Sequence, residues 1–151
     1  MIEVKRVTHV NINCLDAGRQ AAFYSGVLGL REYGGHLGNH DDFLERMGYP
    51  SANPGSARTD VMIAPNGRGS AIELIQWRVQ GSDRRAGARD LGVARIAFEV
   101  TDVAAAYAAL RAAGVDVLGE PRTGGVPGTT VRAFLFRDPE GNILEALEFQ
   151  R

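Results

Sequence analysis

The sequence predicts an α+β fold: two βαβββ modules that build one curved, cup-shaped mixed sheet with helices on its outer face. Three observations predict it. The first is a repeat. Val7-Thr8-His9-Val10-Asn11-Ile12-Asn13, then Asp16 and a helical pattern, is matched by Val93-Ala94-Arg95-Ile96-Ala97-Phe98-Glu99, then Asp102 and a second helical pattern. His9 and Arg95 stand 86 positions apart (95 − 9), as do Asp16 and Asp102 (102 − 16). The second is that each copy closes on a strand carrying one inward acid, Ala71-Ile72-Glu73-Leu74-Ile75 and Asn142-Ile143-Leu144-Glu145-Ala146. The third is alternation of period two, which puts polar residues on one face of these strands and apolar residues on the other.

The elements follow in order. A strand from about Val4 to Cys14 presents Thr8, Val10, Ile12 and Cys14 on one face and Val7, His9, Asn11 and Asn13 on the other. A helix runs from about Asp16 to Leu28 and stops at Gly29. Leu30 to Tyr33 begins a second strand. Residues 34–57 form a lid-like insertion rich in Gly, Asn, Pro and Ser, in which His36 and His40 are read as solvated loop residues, either of which could supply a ligand or a proton shuttle. Strands at about Arg58–Ala64 and Ser70–Val79 are joined by the turn Pro65-Asn66-Gly67. Gln80 to Asp90 is the linker, so the modules span 4–80 and 91–150 within one domain.

In the second module, a strand from Leu91 to Val100 precedes a helix from Val103 to about Ala113, capped by Asp102 and ended by Gly114. A short strand is expected at Val115–Leu118 and a Pro/Gly loop at Glu120–Gly128. Strands at Thr129–Arg137 and Asn142–Phe149 are joined by Asp138-Pro139-Glu140-Gly141. The Gly124–Gly128 run lacks the Lys and the following helix of a phosphate-binding loop and is read as a turn or lid.

Composition narrows the function. With 44% hydrophobic residues and a net charge of −1, the chain can bury a core and carries neither a basic stripe for nucleic acid nor an acidic tail. No apolar run reaches the length of a membrane span. The amino terminus lacks the layout of a signal peptide, so a cytoplasmic location is expected. The single Cys14 excludes an internal disulfide framework and is read as a small buried hydrophobe.

Alternation assigns His9, Asn11, Asn13, Glu73, Ile75, Trp77, Arg95, Ala97, Glu99, Glu145, Leu147 and Phe149 to the inner face. An inward Glu in an apolar strand is costly unless paired. Glu73 and Glu145 therefore need a cation, and both a metal ion and Arg95 meet that need. Asn11, Asn13, Trp77, Glu99 and Phe149 are the candidate substrate-binding residues. Arg122 and Arg132 are read as ordinary exposed arginines.

On these residues the chain resembles the vicinal-oxygen-chelate superfamily. The supporting segments are Val7–Val10, Phe23–Leu30, Ile72–Ile75, Ile96–Val100 and Asp138–Glu145. That superfamily includes glyoxalase I, methylmalonyl-CoA epimerase, extradiol dioxygenases, fosfomycin-modifying enzymes and bleomycin-binding proteins. The resemblance implies metal ligands at His9, Glu73 and Glu145 for a divalent ion (Zn, Ni, Mn, Co or Fe), and no nucleotide cofactor. The third ligand position, usually His in glyoxalase- and epimerase-like relatives, is Arg95 here.

Two readings follow. In the first, an isomerase or lyase acts on a small oxygenated substrate. Glu145 or Glu73 is its general base, and a metal or Arg95 stabilises an enolate or oxyanion. In the second, a metal-free binding or resistance protein uses the same face with Arg95 locked between the two acids. An extradiol dioxygenase is disfavoured because Arg95 removes one His of its iron set. A homodimer is expected by resemblance.

Overall fold

A computed structural model describes residues 2–33, 56–64, 67–78 and 87–150. The lid-like insertion, with His36 and His40, lies outside the described residues apart from its last two positions. The chain divides into two compact units, Met1–Asp83 and Arg84–Arg151. Among the described residues, no helix is long and apolar enough to cross a membrane.

The first unit contains β1 (His9–Cys14), α1 (Ala17–Gly26), β2 (Arg31–Tyr33), β3 (Ser56–Ile63) and β4 (Ala71–Trp77). The second contains β5 (Ile96–Glu99), α2 (Val103–Ala112), β6 (Arg122–Val126), β7 (Thr129–Arg137) and β8 (Ile143–Gln150). Each is a βαβββ module of an α+β fold, as the repeat predicts. The strands hydrogen-bond as two four-stranded sheets, ordered β1-β4-β3-β2 and β5-β8-β7-β6. In both, the first strand runs parallel to the last, and the remaining pairs are antiparallel.

The helices form where cap and periodicity agree. Asp16 accepts a hydrogen bond from the Arg19 backbone N–H, and Asp102 accepts from those of Ala104 and Ala105. The buried positions of α1 include Ala17, Gln20, Ala21 and Tyr24; α2 buries Val103 and Leu110. This is the i, i+3, i+4, i+7 stripe of a helix lying on a sheet. Beneath α1 lie Ile12, Cys14, Met62, Ile72 and Leu74, all buried; the second module buries Phe134, Phe136, Leu144 and Ala146. Each module thus has its own core between helix and sheet, in the phase that alternation assigned. Cys14 is buried, and its thiol donates to the Ile12 carbonyl.

Four expectations need correction. The first strand of each module is shorter than alternation suggests, starting at His9 and Ile96. The segments ahead of them, including Ile2, Val4, Val7, Leu91 and Val93, are exposed. The expected strand at Val115–Leu118 is a single bridge, Val117 with Phe136, and the supposed loop at Glu120–Gly128 holds β6 and the turn into β7. Glycine is no bar to an edge strand here. Gly125, at φ 148°, lies so close to the Thr129 carbonyl that a side chain would collide with it. Ile75, placed on the polar face by phase, is buried.

Candidate functional site

The polar face of each sheet is built by register. In the first module, Asn11 is opposite Glu73, which is opposite Val61, which is opposite Tyr33. In the second, Ala97 is opposite Glu145, which is opposite Leu135. The two acids occupy the same place in the repeat. Side chains on this face reach diagonally, to the residue two positions further along the parallel partner strand.

His9 reaches Glu73 in this way. Its Nε2 lies 4.0 Å from Glu73 Oε2, with side-chain exposures of 47% and 21%. Its Nδ1 is 3.1 Å from the Thr8 hydroxyl, which fixes the plane of the ring. Arg95 reaches Glu145 by the same diagonal. Arg95 Nε donates to Glu145 Oε2 at 2.7 Å, with exposures of 51% and 18%. The structure therefore brings predicted site residues together within each module, His9 with Glu73 and Arg95 with Glu145. Arg95 is bound to Glu145, and the neighbour of Glu73 is His9.

The substrate-binding candidates fall on the same faces. Trp77 Nε1 donates to Asn13 Oδ1 at 2.8 Å, which orients the indole. The matching pair in the repeat is Glu99 with Phe149. Asn11, Asn13, Glu99 and Phe149 are exposed and Trp77 is half-buried. Tyr33 belongs to this face by register and is exposed. Sequence reading missed it because β2 has only three residues, too few to show a phase.

Also missed is a pair of pins at the other side of each sheet. Gln76 Oε1 accepts from the Ala17 backbone N–H at 3.1 Å, and Glu148 Oε2 accepts from that of Val103 at 2.9 Å. Gln76 and Glu148 are equivalent in the repeat, as are Ala17 and Val103. Each strand thereby satisfies an orphan donor in the first turn of its helix and holds that end against the sheet. The matching spacing, together with the caps at Asp16 and Asp102, was the available signal.

Among the described residues, the donors within each module do not fit a resident divalent metal. His9 and Glu73 offer two ligands in the first module. In the second, Glu145 is engaged by a guanidinium, and the position matching His9 is that guanidinium's own residue. Among the described residues, no three His, Cys, Asp or Glu side chains gather to hold an ion. Among the described residues, the polar face of the first module offers an exposed imidazole beside a carboxylate, with amides and an indole, and that of the second offers a carboxylate-bound guanidinium and the ring of Phe149.

The family model of the Glyoxalase/Bleomycin resistance protein/Dioxygenase superfamily matches residues 6–146, and the chain belongs to that superfamily. Solved structures share its fold. A glyoxalase family protein from Bacillus cereus is 22% identical with a TM-score of 0.75, covering 99% of this chain and 97% of the other. A glyoxalase/bleomycin resistance protein/dioxygenase domain from Frankia is 18% identical with a TM-score of 0.67, covering 98% and 100%. TnmS3, an antibiotic binding protein from Streptomyces, is 21% identical with a TM-score of 0.65, covering 99% and 100%. No curated protein matches the chain.

Proposed function

We propose that this chain is a metal-independent member of the superfamily that binds a small oxygenated molecule, with Arg95 supplying positive charge where metal-dependent relatives have a ligand. The observation that carries this reading is the 2.7 Å bond from Arg95 Nε to Glu145 Oε2. A divalent ion on Glu145 would stand within a few ångströms of a permanent cation. At about 4 Å the repulsion is about 2 kcal/mol in water and about 8 kcal/mol at an effective dielectric of 20. The same guanidinium binds oxygen atoms of a ligand without an ion. The antibiotic-binding role of TnmS3 supports a binding function for this fold.

The test is direct. Elemental analysis of the purified protein, before and after dialysis against Zn, Ni, Mn, Co or Fe(II), is expected to find no stoichiometric metal. Tight binding of one equivalent overturns the reading. Trp77 is the only tryptophan, so its fluorescence reports ligands at the first module's polar face. A bound ligand is expected back chemically unchanged. A homodimer in the cytoplasm belongs to the same proposal and is checked by light scattering and cell fractionation.

A second reading, an isomerase or lyase, is favoured by one observation: Glu73 is largely buried beside His9. In this reading Glu73 takes the proton from a carbon next to a carbonyl, leaving the electron pair in an enolate. The proton then returns to a neighbouring carbon, or a leaving group departs. Solvent deuterium incorporated next to a substrate carbonyl, and lost in Glu73→Gln with binding retained, would select this reading.

A further inference from the structure

The second module carries a cation that the proposed function does not use. Arg122 in β6 is opposite Ala133 in β7, which is opposite Leu147 in β8, which is opposite Glu99 in β5. Leu147 shares a face with Glu145, so Arg122 stands on the polar face, with Arg95 and Glu145. Arg132, one register position away, falls on the other face, opposite Glu148. Arg122 is exposed, and among the described residues its side chain makes no hydrogen bond or ion pair. Its row-mate Glu99 is three strand spacings away, about 14 Å. By register the small residues Ala133 and Gly124 and the apolar Leu147, Val131 and Phe149 share this face with Arg122.

We infer that this face selects ligands bearing a carboxylate on an apolar body, with Arg122 as the residue that reads the carboxylate. The inference rests on the binding reading above and goes further by naming the ligand's charge and the residue that sets it. A planar guanidinium matches a carboxylate through two parallel hydrogen bonds, and the apolar residues of this face take the body of the ligand. Amide analogues keep the shape but lose the charge.

The experiment uses the full chain, calorimetry, 2-naphthoate and its neutral analogue 2-naphthamide. The wild type is expected to bind the naphthoate about tenfold more tightly, as a charge-assisted hydrogen bond implies. Arg122→Gln should bring the naphthoate to the affinity of the naphthamide and leave the naphthamide unchanged. Arg132→Gln should keep the wild-type preference. Equal affinities in the wild type, or a preference that survives Arg122→Gln, overturn the inference while the binding reading stands. Binding of neither compound also overturns the inference, while the binding reading is decided by the elemental analysis above.

Discussion

At Arg95 a single side chain places a guanidinium on Glu145, on the polar face of the second module. The pair with Glu145 is half exposed on the arginine side, so its share in stability is small. A double-mutant cycle of Arg95→Ala and Glu145→Ala is expected to give a coupling of about 1 kcal/mol or less in urea unfolding. A much larger coupling would make the pair a structural device rather than a recognition group. Arg95→His places a neutral donor beside Glu145. It is expected to raise affinity for zinc or nickel at least tenfold over the wild type by calorimetry, in line with the metal preferences of imidazole and carboxylate. If the variant stays as metal-blind as its parent, position 95 does not control metal access. The candidates on the polar faces were legible as residue types, because alternation separates His9, Asn11 and Asn13 from the buried Ile12 and Cys14. Their partners were not. Either a metal ion or Arg95 was expected at Glu73 and Glu145; within each module the diagonal reach of parallel neighbours gives Arg95 to Glu145 and the imidazole of His9 to Glu73.

Among the elements, the helices were the most legible because caps and stop signals are local. Asp102 accepts two backbone N–H groups, and Asp102→Ala is expected to cost about 1 kcal/mol, read as a lower urea midpoint. Glu148→Ala removes the pin from the same helix end and should reduce amide-exchange protection in its first turn. β6 was the least legible element. Its Gly-Gly pair and the following Pro127-Gly128 suggest a loop, yet pairing with β7 supplies the ladder bonds that keep the segment extended. Gly125 is required there by its φ and by the Thr129 carbonyl. Gly125→Ala is expected to destabilise by more than about 1 kcal/mol, whereas Gly124→Ala, with open space at its Cβ, should cost less. Equal effects at the two positions would show that backbone conformation does not limit the hairpin.

For the molecule as a whole, duplication explains why one set of devices appears twice: a capping Asp, a strand-to-helix pin, a buried central strand and a diagonal polar pair. Each module encloses its own core, with Leu74 and Leu144 fully buried. Leu74→Ala and Leu144→Ala are each expected to cost about 2–5 kcal/mol in denaturant unfolding. A negligible loss at either would show that its core can collapse around the deletion. What the sequence by itself determined was the two-copy α+β plan, the helix caps and the buried phase of β1 and β8. All of these rest on periodicities and short-range signals within single elements or on a repeat visible by inspection. Only the tertiary structure decided that Arg95 holds Glu145, 50 residues away, that Gln76 and Glu148 pin helices 59 and 45 residues away, and that Arg122 and Arg132 face opposite ways. Those outcomes depend on strand register, which is set by pairing between distant segments and shifts every side chain to the other face if it slips by one residue.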